Sequence, residues 1–146
     1  MAETGNRNDP FPGFRFEVRL DDMPAAGFSE CSGLQLDTEI YDYNEGGLNS
    51  YVLKFPVRTK QTNIVLKRGI VDRTMWDWYY ALTLGTIRFR NGSILVRDPA
   101  GQSVVMEWQF RNAFPCKWHG PDLNATQNAI AVETVELCHQ GLERQE

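Results

Sequence analysis

The chain has 146 residues, of which 42% are hydrophobic and 12% aromatic. A domain of this size buries roughly 70% of the surface its unfolded chain exposes, which is enough for one core and excludes intrinsic disorder. A net charge of −4 argues against a dedicated nucleic-acid binder, and no run reaches the roughly 18 apolar residues of a membrane-spanning helix.

Residues 1–12 combine Gly, Asn and Pro and read as an irregular N-terminal arm of a single domain spanning 1–146. This polar start lacks the basic-then-apolar order of a secretory signal, so the expectation is synthesis and retention in a cytoplasm. Phe14, Phe16, Val18 and Leu20 alternate with polar residues, the mark of a half-buried strand with Phe14, Phe16 and Val18 facing the core. Asp21–Pro24 turns the chain. A second alternation puts Leu34, Leu36, Thr38 and Ile40 on one face and Gln35, Asp37, Glu39 and Tyr41 on the other.

Asn44, Glu45, Gly46, Gly47, Leu48, Asn49 and Ser50 interrupt the pattern as a Gly-rich loop. Strands resume with Tyr51, Leu53, Phe55 and Val57 on one face, and again over Asn63–Lys67. Acidic residues crowd the stretch before the loop (Asp37, Glu39, Asp42, Glu45), and basic ones the stretch after it (Lys54, Arg58, Lys60, Lys67, Arg68). Two readings fit: solvated strand faces, or complementary patches on opposite sides of a self-associating subunit.

A helix is predicted over Asp72–Leu84, with Asp72 or Thr74 capping its start and Gly85 ending it. Its apolar residues, Met75, Trp76, Trp78, Tyr79, Tyr80, Leu82 and Leu84, exceed the single stripe that a one-sided surface helix needs. The helix is therefore either sandwiched within the domain or meets another subunit through Met75, Trp76, Trp78 and Tyr79.

Asn91-Gly92, between Ile87–Arg90 and Ile94–Asp98, has the signature of a tight hairpin turn, and Asp98–Gly101 reads as another turn. Val104–Phe110 alternates without a fault, placing Trp108 and Phe110 inward and Gln109 outward. A connection marked by Pro and Gly over Pro115–Asn128 leads to a last strand near Ala129–His139. Short strands separated by turns, with one helix, indicate a mainly β fold: two packed antiparallel sheets, as a sandwich or barrel, with one flanking helix.

Catalytic signatures are missing: there is no phosphate-cradling glycine loop and no nucleophile elbow. The three cysteines lack a CxxC pair, which argues against a disulfide framework. Cys116, His119, Cys138 and His139 could supply four zinc ligands, but adjacent strand residues point to opposite faces, so Cys138 and His139 cannot easily share an ion. The expectation is no catalytic, metal or cofactor site.

Several segments together resemble a known family. They are Phe14–Val18, Ala26–Leu34, the Glu45-Gly46-Gly47 loop, Leu66–Ile70, Trp76-Asp77-Trp78, Asn112–Thr126 and Val132–Leu137. In this order they resemble the tail tube proteins of contractile-tailed phages, and especially the inner tube proteins of extracellular contractile injection systems of the antifeeding-prophage and virulence-cassette type. The likeness runs from about Asp9 to Glu143, with Phe114 standing where the family more often has tryptophan.

This resemblance implies hexameric rings stacked into an inner tube, a conduit for cargo driven by sheath contraction. The implied partners are copies of the chain, sheath subunits, baseplate or hub proteins and a terminal cap, with no membrane insertion by this chain alone. The implied location is an assembled particle made in a bacterial cytoplasm. On that reading the loop Asn44–Ser50 joins successive rings and the helix supplies a lateral contact. The alternatives are a tube-initiator or hub paralogue of the same machine and, in a different class, a monomeric β-barrel that binds a small ligand.

The thiols are expected to be dispensable for assembly. A Cys116→Ser/Cys138→Ser variant should assemble as the parent does, and elemental analysis should find no stoichiometric zinc. One metal ion per chain would overturn this.

Overall fold

The computed structural model describes residues 15–23, 27–44, 46, 47, 51–70 and 72–145. Nine strands and one helix follow in the order β1 (Phe16–Leu20), β2 (Glu30–Ser32), β3 (Leu36–Tyr43), β4 (Leu53–Gln61), β5 (Ile64–Gly69), α1 (Thr74–Thr83), β6 (Arg90–Arg97), β7 (Val104–His119), β8 (Val132–Cys138) and β9 (Gly141–Arg144). The expected mainly β architecture is present, and every strand pairing is antiparallel.

Strand β7 organises the two sheets because it belongs to both. Its first half pairs with β6, which pairs with β1, and also with β9. Its second half pairs with β8, followed by β5 and β2. Between the halves lies Asn112, whose φ of +52° breaks the extended run. Asn91 Oδ1 holds this break by accepting from the Asn112 amide at 3.0 Å. The strand then continues to His119, beyond its expected end. Pro115, read from the sequence as the start of a connection, instead sits at a slip in the β7–β8 register, where a residue without a ladder donor is tolerated.

Asn91-Gly92 is not a turn. Both residues lie inside β6, with a register shift between Arg90 and Gly92. A Cβ on Gly92 would come within 2.3 Å of the Phe110 ring and 2.9 Å of Leu20, so the glycine is there for close approach. The Asp98 turn forms as expected. Its carboxylate accepts from the Gln102 amide at 2.8 Å and the Ser103 hydroxyl at 2.9 Å, which holds Asp98 below the ordinary carboxylate range.

The core lies between the two sheets and α1. Val18, Leu20, Phe28, Ile64, Leu66, Ile94, Phe110, Ala113, Val135 and Leu137 form it, with Met75 and Trp78 from the helix. Val18 and Phe110 are where the alternation puts them, while Phe16 and Trp108 pack half-buried at its rim. Arg144 lies over the Trp108 ring. Phe14 falls outside the described residues.

The helix lies inside its expected bounds, but its N-cap position is Arg73, not Asp72 or Thr74, and the Arg73 side chain makes no cap bond. Asp72 Oδ1 accepts from the Thr74 amide at 3.0 Å. At the other end the Gly85 and Thr86 amides donate back to Leu82 O and Ala81 O, closing the last turn. The Thr74 donors, and then Arg68, hold the Asp72 carboxyl below its usual range. A depressed carboxylate contributes stability at neutral pH that is lost as pH falls through the lowered value.

A buried ion pair ties these parts together. Arg68 Nε donates to Glu133 Oε1 at 2.7 Å, with the two side chains only 3% and 2% exposed. Removing one partner of such a pair leaves an uncompensated buried charge. Arg68→Met is expected to lose about 3–5 kcal/mol in urea denaturation, and Arg68→Met/Glu133→Leu to recover much of that loss. A single-variant loss below about 1 kcal/mol, the scale of a surface pair, would show that the pair is not isolated from water.

Candidate assembly surface

Strands β3 and β4 form a hairpin that pairs with no other described strand. Period-two alternation led to the expectation of one buried face, but every residue from Leu36 to Tyr43 is exposed, and so is nearly all of β4. Ile40 is 57% exposed and Phe55 48%. Tyr41 stands opposite Phe55, Asp42 opposite Lys54, Glu39 opposite Arg58 and Asp37 opposite Lys60.

The acidic and basic stretches are therefore not on opposite sides of the subunit, because the hairpin folds one against the other. The Glu39–Arg58 pair, at 3.4 Å, is solvent-exposed, and such pairs are worth about 0–1 kcal/mol. An isolated two-stranded hairpin is marginal in water, and a wide apolar exposure of this kind marks a surface that meets another protein.

The base of the hairpin, by contrast, is fixed. Gly33 has a φ of +87°, and a Cβ there would sit 2.0 Å from Asn63 O. The Thr62 amide donates to Gln35 O, and Thr62 O lies 2.9 Å from His139 Nε2. At the far end is the proposed ring-stacking loop. Asn44, Gly46 and Gly47 are exposed, and no atom lies within 4 Å of a Cβ built on either glycine. Glu45, Leu48, Asn49 and Ser50 lie outside the described residues.

The lateral helix face needs correction in part. Met75 and Trp78 are 1% and 5% exposed within the subunit's own core, so neither is free to meet a neighbour. The Trp78 indole donates to Arg88 O at 2.9 Å, and Arg90 packs over its ring. Trp76 and Tyr79 are half-buried. Trp76 stacks on Tyr80 and meets Trp118 edge to face. The apolar side chains this region leaves exposed are Tyr80, Leu84, Ile87 and Phe89, with Leu84 at 71%. The surplus of apolar residues in the helix pointed to this surface without saying which residues carry it.

The four candidate zinc ligands do not gather. His139 is buried against Phe110, whereas Cys116 and Cys138 are half-buried and His119 is exposed at the end of β7. Among the described residues no three potential ligands come together. A cavity in the core, lined by Val18, Leu20, Met23, Phe28, Arg68, Thr74 and Met75, has a volume of about 10 Å³. A small-molecule pocket needs roughly 300 Å³ or more and encloses its ligand; the spaces that reach this size, such as the one of about 480 Å³ lined by Arg19, Asp21, Asn91, Gln109 and Arg111, are open surface grooves and not the closed apolar interior of a ligand-binding barrel.

Known proteins resemble this chain in sequence and in fold. The family model described as T4-like virus tail tube protein gp19 matches residues 12–143. Among proteins of curated function no sequence matches significantly. The fold is similar to a chain of the PVC extracellular contractile injection system, solved as a sheath-tube complex in the extended state. That likeness has a TM-score of 0.85 and 30% identity, and covers 93% of this chain and 91% of the other. A chain of the anti-feeding prophage tube terminating cap gives a TM-score of 0.86 at 30% identity, with 99% of each chain covered. Hcp1 from Flavobacterium johnsoniae, at 11% identity, a TM-score of 0.56 and coverage of 90% and 95%, shares the fold alone. The chain belongs to the T4-like virus tail tube protein family, whose role is to build a tube.

Proposed function

We propose that this protein is a non-enzymatic subunit that closes into hexameric rings and stacks them into the inner tube of a contractile particle. The observation that carries the reading is the β3–β4 hairpin, exposed on both faces and apolar over much of its length. Strand edges left open are an aggregation hazard, and a closed ring removes them by pairing each edge with a neighbour. Among the described residues β1 and β2 end their sheet with one strand partner each, so the body of the subunit also has edges to close. Tyr80, Leu84, Ile87 and Phe89 supply a further exposed apolar surface.

In this reading the tube carries cargo through its lumen, sheath subunits surround it, and a baseplate or hub and a cap bound its ends. The subunit is made in a bacterial cytoplasm and works in the assembled particle. No described helix is long and apolar enough to cross a membrane. A second reading, a ring at one end of the tube, is favoured by the full-length likeness to the anti-feeding prophage cap chain. Negative-stain microscopy of purified protein separates the two: long tubes support the first, and single rings at every concentration support the second.

The loop at the hairpin tip is expected to join rings without supporting the fold. Replacing Asn44–Ser50 by a tight Asn-Gly turn changes closure entropy by less than about 1 kcal/mol. Circular dichroism should remain that of the parent, and microscopy should show folded subunits or single rings. Normal tubes from this variant would refute the role of the loop.

A further inference from the structure

The apolar rows that β1, β6 and the first half of β7 turn inward run past the edge of the core. Phe16 stands opposite Val96 and Val96 opposite Met106, and the next row pairs Ile94 with Trp108. Ile94 and Val96 are buried, but Phe16, Met106 and Trp108 are only half-buried. Across from them, Cys31 of β2 pairs with Leu66, whose side chain is fully buried, and the half-buried Leu34 follows beyond Gly33. Together these side chains line an apolar groove of about 190 Å³ with no charged residue in its wall.

A cover for this groove begins at its own edge. The Arg97 amide donates to Arg15 O at 2.8 Å, so the pairing of β1 with β6 extends back to Arg15. Residues 1–14 precede it, and Phe11 and Phe14 are their only aromatic residues. The period of two that turns Phe16 and Val18 inward assigns Phe14 to the same face, next to Phe16. Pro12-Gly13 between the two phenylalanines is a turn dipeptide, and a chain that reverses there carries Phe11 back over the groove.

We infer that the groove is the docking site for this chain's own residues 11–14, with Phe14 at its rim and Phe11 folded back into it. An arm tethered at the rim meets the groove at high effective concentration and loses no translational freedom on docking, which favours it over a segment of a second copy. Burial pushes the Cys31 thiol up to about 11, so a covered groove keeps this thiol protonated and slow to react. The inference concerns the single subunit and stands independently of ring or tube formation.

The test is alkylation of the native, reduced protein with iodoacetamide, with the rate at each cysteine read by peptide mapping. Cys116 on β7 and Cys138 on β8 do not line the groove and serve as internal references. In Phe11→Ser/Phe14→Ser, Cys31 should react about tenfold faster or more, the shift that loss of one buried phenyl ring gives, while the other two rates stay at the parental values. Deleting residues 1–9 should leave the Cys31 rate unchanged, and diluting the parent should do the same, because the cover belongs to the same chain. An unchanged Cys31 rate in the double variant, an equal rise at all three thiols, or a Cys31 rate that climbs as the parent is diluted would each overturn the proposal. If the double variant does not fold, Phe11→Ala, which leaves β1 and its pairing intact, decides by the same readout.

Discussion

Taking an arginine and a glutamate out of water costs several kcal/mol for each ion, so a buried pair survives only where its remaining donors and acceptors are also met. Here they are met from every side. Arg68 gives Nε to Glu133 and a terminal nitrogen to Asp72, and its guanidinium lies 5.6 Å from the centre of the Phe28 ring. Glu133 takes a second hydrogen bond, at 3.1 Å, from the indole of Trp118. Thus β5, β7, β8, the segment before β2 and the start of the helix are all referred to one charge pair. Hydrophobic burial already resists a one-residue slip, which would turn the apolar sets of β5 and β8 outward, and the network adds donors and acceptors that must meet in the same register.

The network also sets the outer surface. Asp72 both receives Arg68 and holds the first amide of α1, so the pair fixes where the helix begins. Trp118 receives Trp76 on its ring, and Trp76 carries Tyr80 on its other side. A line of contacts therefore runs from a buried carboxylate to an exposed tyrosine. With Met75 and Trp78 held inward, the helix has little freedom to turn, and its exposed apolar edge points in a defined direction. A subunit that must meet identical neighbours needs such a surface presented at a fixed angle.

The hairpin follows different physics. Its strands pair with one register shift, between Glu39 and Ile40, and carry cross-strand charges, yet the rest of the described subunit leaves both faces bare. Gly33 and the Thr62 contacts hold its base against the body, and no other described strand pairs with it. A rigid base reduces the ordering cost of binding, and an uncovered apolar face supplies the driving force. Together these make the hairpin the part of the chain that a tube has most use for.

What the sequence determined by itself is local. The alternation of Phe16–Leu20 and Val104–Phe110, the helix between Asp72 and Gly85 and the turn at Asp98 follow from side-chain period and capping chemistry, which act over a few residues. The family could be read as well, because its motifs lie in order along the chain. Tertiary structure decided what covers each face. Leu36–Tyr43 alternates like a half-buried strand, but no described element packs against it. Asn91-Gly92 has the composition of a turn, but Phe110 on another strand needs the space that only a glycine leaves. The helix shows its apolar surplus in sequence, yet only packing turns Met75 and Trp78 inward and leaves Tyr80 and Leu84 outside. Side-chain period records that a residue has two faces to choose between; which neighbour arrives at each is settled by strands far away in the chain.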